Sequence, residues 1–222
     1  MMCVHGRGEL ADRTIPLDRT SVPYSLTSAL GDLSDTVEAM DTETMGLDPR
    51  RDRLCLVQMS AGDGDAHLVQ IAQGQREAPN LTRMLADPAV LKLFHFGRFD
   101  IAALENAFGV VTAPVWCTKI ASKLVRTFTD RHGLKYLLND LVGVDISKQQ
   151  QTSDWGAEEL TPAQLEYTAS DVLHLHALKA ELERRLAREG RTALAQACFE
   201  FLPTRARLDL DGWEAEDIFA HS

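Results

Sequence analysis

Short apolar runs and amphipathic segments alternate along most of the chain. Runs with the length and apolar composition of β-strands lie at 37–41, 54–60, 66–71 and 91–96. The second and third runs are joined by AGDGD, a glycine- and aspartate-rich loop that predicts a β-hairpin. The first half of the chain is therefore expected to form a β-sheet that contains an antiparallel pair.

Helical periodicity becomes dominant further along the chain. Apolar spacing predicts helices at 79–87, 98–108, 117–125 and 132–141, and a long helix at 162–188. The long helix opens with a capping signature, because Thr161 precedes Pro162 and Gln164 lies three residues after the cap. Strands interleaved with helices indicate an α/β fold, in which helices flank a mixed sheet.

The composition is that of a globular domain. Of 222 residues, 45% are hydrophobic and 25% are charged, which is enough apolar surface for one packed core. We expect residues 1–20 to form a polar N-terminal tail and residues 21–222 to form one domain, with the aromatic C-terminal segment docked on it. No apolar run approaches the roughly 20 residues of a membrane helix, and no signal peptide is visible. A cytoplasmic protein without a membrane partner is therefore expected.

The charge balance limits the classes of function. Lys and Arg number 23 against 33 Asp and Glu, a formal net charge of −10. This disfavours a protein that coats nucleic acid by bulk positive charge. A nucleic-acid enzyme remains compatible, because carboxylates that hold metal ions count as negative in this sum and the bound ions reverse the local sign.

Two carboxylates stand two residues apart at the end of the first predicted strand, Asp41 and Glu43 in VEAMDTET. Residues i and i+2 of a strand point to one face, so both side chains can reach the same point. Acidic pairs at strand ends are common, so this pair alone does not define a site.

Further acids occur in helical contexts. Asp100 follows an apolar strand near the start of a helix, where a favourable interaction with the helix N-terminus is an alternative explanation. Tyr167 and Asp171 are one turn apart and share a helix face. Asp171 lies among apolar residues, where a carboxylate needs a basic side chain or a metal ion as its partner.

These acids together suit two-metal phosphoryl transfer. Hard divalent ions such as Mg²⁺ or Mn²⁺ prefer oxygen ligands, and a pair of them requires several convergent carboxylates. A tyrosine hydroxyl nearby can position the attacking water.

The pattern resembles the DEDD exonucleases, which have a ribonuclease-H-like fold. Their three motifs are matched in order by Asp41-Thr-Glu43, Phe99-Asp100 and Tyr167-x-x-x-Asp171. A sister subfamily has a catalytic histidine five residues before the last aspartate, where this chain has Glu166. Tyr167 therefore identifies the chain as a member of the tyrosine branch, which includes ribonuclease D.

Longer stretches resemble one short group within that branch, called nanoRNase C, which degrades very short RNAs including dinucleotides. These stretches are HFGRFD, CTKIASKL, TDRHGLK, SKQQQTSDW and DIFAHS. Full-length ribonuclease D carries additional helical RNA-binding domains, and the residues after position 188 are expected to be too few to form them.

The resemblance implies a role for each matched residue. Asp41, Glu43 and Asp171 are expected to hold the first of two divalent metal ions. Asp41 then bridges to the second ion, which Asp100 supports directly or through water. Tyr167 is expected to orient the attacking water.

Nucleotide contacts are expected around these acids, from Thr42, Met45, Gly46, Leu47, His95, Phe96, Lys148 and Gln151. Leu47 matches the family position that wedges against the terminal base, with a buried turn residue as the alternative. Phe96 suits base stacking and core packing equally. His95 is also compatible with a core position.

The implied function is a metal-dependent 3′–5′ exoribonuclease that hydrolyses short RNA oligonucleotides, including dinucleotides, to nucleoside 5′-monophosphates. Alternatives within the enzyme class are ribonuclease D-type trimming of tRNA or other structured RNA, and DNA exonuclease activity. The alternative from another class is a non-catalytic nucleic-acid-binding module. Such a module should have lost a metal ligand, and this chain has all four. The resemblance also implies a homo-oligomer.

Overall fold

The computed structural model describes residues 24–26 and 37–221, so the predicted tail at 1–20 lies outside the described residues. The strands are β1 (Tyr24–Leu26), β2 (Val37–Thr44), β3 (Leu54–Ser60), β4 (Ala66–Gln70), β5 (Leu91–Phe94) and β6 (Val115–Cys117). The helices are α1 (Pro79–Ala86), α2 (Arg98–Phe108), α3 (Thr118–Val125), α4 (Leu134–Val142), α5 (Pro162–Leu173), α6 (Leu175–Arg188) and α7 (Thr192–Leu210).

The described strands form one mixed sheet in the order β1-β4-β3-β2-β5-β6. The predicted hairpin is confirmed, because β3 pairs antiparallel with both β4 and β2. On the other side, β2, β5 and β6 run parallel, and β1 joins β4 in parallel. Helices α2 and α5 both contact β2 and β3. The predicted α/β architecture, a mixed sheet flanked by helices, is confirmed.

The long helix predicted at 162–188 is two helices, so that prediction was wrong. α5 ends at Leu173 and α6 begins at Leu175, with His174 between them at φ −104° and ψ 0°. After this break His176 Nε2 lies 2.7 Å from the carbonyl oxygen of Val37 and donates to it, which ties α6 to the start of β2. Only His174 separates the two helices, so the apolar periodicity of the sequence continues from one helix into the next.

Other boundaries differ by a few residues. β2 extends to Thr44, beyond the predicted end at residue 41, because its pairing with β3 continues to Leu54. The short strands β1 and β6 were not predicted. The capping box is confirmed. Thr161 Oγ1 accepts a hydrogen bond from the backbone N–H of Gln164, and Gln164 Oε1 accepts one from the backbone N–H of Thr161.

Helix α7 packs against α2 and is held there by an arginine network of Arg50, Arg98, Arg205, Asp209 and Glu214. Arg98 Nε donates to Asp209 Oδ2 at 2.5 Å, and Arg205 Nη1 lies 3.0 Å from Asp209 Oδ1. Both arginines also donate to the carbonyl oxygen of Glu214, whose carboxylate pairs with Arg50. This network anchors the chain just after α7.

The residues that follow α7 are less buried than the aromatic composition suggested. Residues 211–221 are exposed throughout, including Trp213 and Phe219. The segment is held by the arginine network and by an edge-on contact between the Phe219 ring and the Phe201 ring of α7, with 5.9 Å between centroids. Docking of the whole C-terminal segment stays a prediction. Within the described residues, no helix is both long enough and apolar enough to cross a membrane.

Candidate active site

The site is built on the second half of β2. Asp41 and Glu43 alternate with Thr42, so the two carboxylates share one face of the strand. The pairing of β2 with β3 shifts register between Glu43 and Thr44. Such an irregularity bends a strand and redirects its side chains, and here it directly follows the second acid.

Helix α2 adds Asp100 in its first turn. This side chain is buried, and Thr42 Oγ1 donates to Asp100 Oδ1 at 2.6 Å. Close packing at the helix start requires Gly97, because a Cβ there would lie 2.7 Å from Phe94 Cβ. The segment HFGRFD connects β5 to α2 and thereby places Asp100 against Thr42 of β2.

Helix α5 adds Asp171 and Tyr167 from its last turns. One carboxylate oxygen from each of Asp41, Glu43 and Asp171 lies within 4.8 Å of the others. The Tyr167 ring stacks on the buried Trp155 ring, with 6.0 Å between centroids and 30° between planes. The tyrosine hydroxyl also hydrogen-bonds with the Asp171 carboxylate. Asp41, Glu43, Asp100 and Asp171 form what we term the acidic centre.

Burial and mutual repulsion dominate the electrostatics of the acidic centre. Burial raises the pKa of Asp41 well above its usual range, and the charges of Asp100, Asp171 and Glu43 raise it further. The pKa of Glu43 rises to about 9 through burial and then the charges of Asp171 and Asp100. Burial also raises the pKa values of Asp100 and Asp171 to about 7.

The acidic centre has the donor set of a divalent cation site. Among the described residues, no Lys, Arg or His forms a salt bridge with any of the four acids, and Lys148 acts on Asp171 only through space. Buried carboxylates without basic partners are expensive unless a cation joins them. Mg²⁺ and Mn²⁺ prefer such oxygen ligands, so the residues present fit these ions.

Gln58 is a member of the site that sequence reasoning missed. It lies on β3 directly opposite Asp41, is fully buried, and points its amide nitrogen at two acids. Nε2 lies 3.3 Å from Asp41 Oδ2 and 3.5 Å from Glu43 Oε1. The only signal in the sequence was a polar residue inside the otherwise apolar run LCLVQM.

The loop after β2 places three of the expected nucleotide-binding residues beside the acids. Leu47 is 89% exposed and Met45 is 51% exposed. The buried turn position considered as an alternative for Leu47 is therefore wrong. Gly46 packs so closely on Asp52 that a Cβ would come within 2.2 Å of its carboxylate. Thr42, the fourth, is instead occupied with Asp100.

His95 and Phe96 lie between the end of β5 and the start of α2, the helix that carries Asp100. His95 Nδ1 hydrogen-bonds with Thr118 Oγ1 at 2.8 Å, and burial followed by the charges of Lys119 and Lys148 lowers the pKa of His95 to about 3. Phe96 has a positive φ of 65° and a half-exposed ring. Lys119 Nζ lies 4.0 Å from the centre of that ring. The ring is therefore presented to solvent and not packed in the core.

The segment before α5 carries the remaining candidates. Lys148 and Gln151 are exposed, and the amide of Gln151 donates to the carbonyl of Lys148 in a turn at 3.3 Å. Gln151 makes no contact with the acidic centre among the interactions of the described residues. An open cleft lies between this segment and α5, and Tyr167 forms part of its wall.

Comparison with known proteins assigns the family. A model of the 3′–5′ exonuclease domain matches residues 25–187. The chain belongs to the 3′–5′ exonuclease family.

Two relatives show which exonucleases this chain is similar to. Ribonuclease D of Granulibacter bethesdensis is 38% identical over 154 residues, which are 69% of this chain and 38% of the relative. The chain thus spans less than half the length of that relative. NrnC of Brucella melitensis matches with bound Mg²⁺ at 58% identity and TM-score 0.84, and bound to pGG at 59% identity and TM-score 0.85. Both matches cover 90% of this chain and 97% of the other.

These comparisons confirm the resemblance to ribonuclease D-like exonucleases and to nanoRNase C. They also confirm the ribonuclease-H-like fold. The motif acids and Tyr167 lie together at the site, although the sequence contained no contact information between β2, α2 and α5.

Proposed function

We propose that this chain is a metal-dependent 3′–5′ exoribonuclease that hydrolyses short RNA oligonucleotides, including dinucleotides, to nucleoside 5′-monophosphates. The observation that carries the proposal is the acidic centre. Four carboxylates from three elements converge there without a basic partner among the described residues, beside a tyrosine hydroxyl. Buried carboxylates of this kind destabilise the fold unless cations are bound, and a non-catalytic binding module does not require them.

Asp41, Glu43 and Asp171 would hold one divalent ion, and Asp41 with Asp100 a second. When bound, two such ions would activate a water molecule and stabilise negative charge on the leaving oxygen. The relative NrnC has been obtained with bound Mg²⁺, which supports Mg²⁺ or Mn²⁺ at this site.

Tyr167 has the properties of a residue that orients the attacking water. Burial, followed by the charges of Asp171, Glu43 and Asp41, raises the pKa of its hydroxyl above the usual value. The hydroxyl therefore stays protonated at neutral pH and acts as a hydrogen-bond donor. Its stacking on Trp155 limits rotation of the ring.

The surroundings of the acidic centre suit a nucleotide. Leu47 and Met45, in the loop after β2, offer exposed apolar side chains, and Phe96, after β5, offers an exposed ring face. Bases stack on aromatic rings for about 1–3 kcal/mol each. Lys119 and Lys148 add positive charge next to that ring and next to Asp171, where phosphates of the substrate would be attracted. Thr42, Gly46, His95 and Gln151 remain proposed contacts of the same substrate.

The preference for very short RNA rests on the likeness to NrnC, which has been obtained bound to the dinucleotide pGG. Ribonuclease D-type trimming of structured RNA is the second candidate, because ribonuclease D relatives match 69% of this chain. We further propose a single exonuclease domain over residues 21–222, a cytoplasmic location and assembly as a homo-oligomer. The free thiols of Cys55, Cys117 and Cys198 are compatible with a reducing compartment.

One comparison of initial rates tests the proposal. A 5′-labelled RNA dinucleotide and a 20-residue RNA are supplied at equal concentration with Mg²⁺, and a DNA dinucleotide serves as the sugar control. We expect faster cleavage of the RNA dinucleotide, with nucleoside 5′-monophosphates as products. Faster cleavage of the 20-mer would support trimming, and no cleavage of any substrate with Mg²⁺ or Mn²⁺ would refute the enzymatic proposal.

A further inference from the structure

Gln58 contacts two acids of the acidic centre at once from the neighbouring strand. It is fully buried, its Cα is the register partner of Asp41, and its amide nitrogen faces oxygens of both Asp41 and Glu43. Antiparallel partners place their side chains on the same face of a sheet. The amide is thus directed at the acids by the backbone pairing itself.

The orientation of the amide is determined by its neighbours. With a divalent cation bound, the two carboxylates are ionised and only accept hydrogen bonds, so in that state a flipped amide would place its own oxygen against two carboxylate oxygens. The donating orientation leaves Gln58 Oε1 buried without a hydrogen-bond partner among the described residues. A buried acceptor without a partner destabilises a fold, which indicates that the two acids, and not a partner for Oε1, set the orientation of this amide.

We propose that Gln58 is a positioning residue that holds Asp41 and Glu43 in the orientation in which they bind a divalent cation. Its amide contacts one oxygen of each acid, Asp41 Oδ2 and Glu43 Oε1, and leaves the other oxygen of each acid available. It also partly compensates the repulsion between the two acids when no cation is present. The proposal rests on the proposed function, because it assumes that these acids are cation ligands.

Mutations at other metal sites indicate how much metal affinity a Gln58 variant should lose. Loss of a residue that orients metal ligands typically costs about 10–100-fold in metal affinity or activity. Gln58→Met keeps the side-chain length and removes the donor. Gln58→Asn keeps an amide, but one carbon bond shorter, and bonds of 3.3 Å and 3.5 Å do not survive that retraction.

The test measures Mn²⁺ binding by calorimetry, independently of catalysis, on the wild type, both Gln58 variants and Gln70→Met. Gln70 is a matched control, because it lies on the neighbouring strand β4 and donates to the carbonyls of Ala157 and Glu158 at 3.0 Å and 3.3 Å. We expect both Gln58 variants to bind Mn²⁺ about 10-fold or more weakly, with Gln70→Met at the wild-type value. With saturating metal, kcat for a dinucleotide should fall while KM changes little.

The alternative is that Gln58 only stabilises the sheet. In that case the metal-free variants would unfold more easily, while the folded molecules would bind Mn²⁺ with wild-type affinity, and this result would overturn the proposal. If Gln58→Met does not fold, the polar and smaller Gln58→Asn decides the question. Failure of the wild type to bind Mn²⁺ would instead contradict the proposed function, so the two failures are distinguishable.

Discussion

The acidic centre and the arginine network both contain carboxylates from packed secondary-structure elements. The carboxylates of the network have arginine partners, whereas those of the acidic centre face one another. In the network, Asp209 receives hydrogen bonds from Arg98 and lies beside Arg205, so its charge is matched. On α6, Arg184 and Arg185 likewise lower the pKa of Glu181 to about 2. In the acidic centre, burial and like charges raise the pKa of Glu43 to about 9.

Structural and functional acids can therefore be distinguished by their partners. A carboxylate with an arginine partner stabilises the fold, whereas buried carboxylates that face one another destabilise it until a cation binds. Functional sites often store instability of this kind. Three substitutions test whether this distinction holds.

The largest effect is expected for Asp41→Asn. The substitution removes the carboxylate that faces the other three acids, so exonuclease activity should fall by about 10³-fold or more. The metal-free protein should become more stable by about 1 kcal/mol, because repulsion is relieved. Initial rates and urea unfolding in a chelator measure the two effects. Loss of stability in the metal-free protein would show that Asp41 supports the fold, as Asp209 does, and would contradict the distinction between the two kinds of acid.

A smaller and opposite effect is expected for Asp209→Asn. Arg98 and Arg205 lose their shared charged partner at a largely buried position, so the free energy of unfolding should fall by about 1–3 kcal/mol. Activity per folded molecule should be retained at a temperature well below the unfolding transition. Glu181→Gln on α6, whose carboxylate pairs with Arg184 and Arg185 at a half-buried surface position, is the control and should change the stability by no more than about 1 kcal/mol. A large loss of kcat in Asp209→Asn would indicate that the network acts on the site.

The smallest effect is expected for Glu38→Gln. Glu38 lies on β2 with Asp41, is buried, and its Oε1 has no hydrogen-bond partner among the described residues. Burial, and then the charge of Asp63, raises its pKa from 4.5 to about 7. Between these pH values the folded protein keeps a proton that the unfolded chain has released, so this residue lowers stability as the pH rises.

The variant should therefore match the wild type near pH 4.5 and exceed its stability by about 1–2 kcal/mol above pH 7. Urea unfolding across this pH range gives the difference between the two proteins directly. Mn²⁺ affinity should be unchanged, since Glu38 is outside the acidic centre. Equal stability of the two proteins at pH 8 would mean that burial alone does not make a carboxylate costly here.

Local patterns in the sequence were sufficient for much of this description. The i, i+2 spacing placed Asp41 and Glu43 on one strand face, and the i, i+4 spacing placed Tyr167 and Asp171 on one helix face. The AGDGD hairpin and the capping box at Thr161 were predicted from local chemistry and are present. These features depend on neighbours within about five residues, which the sequence displays directly.

Contacts between distant segments could not be predicted in this way. The break at His174 coincides with a hydrogen bond from His176 to Val37, a residue far away in the chain, and Leu47 is exposed in the loop that follows β2. Gln58 resembled any polar residue within an apolar strand, and only the β2–β3 register showed that it faces two acids.

The sequence alone was therefore enough to place Asp41 with Glu43, and Tyr167 with Asp171, on common faces, because short-range backbone geometry sets those faces. The order and spacing of the same residues carried the family resemblance. The tertiary structure alone decided that four acids meet without a basic partner among the described residues, and that an amide lies between two of them. Burial and Coulomb interactions act through space, between residues as far apart in the chain as Asp41 and Asp171.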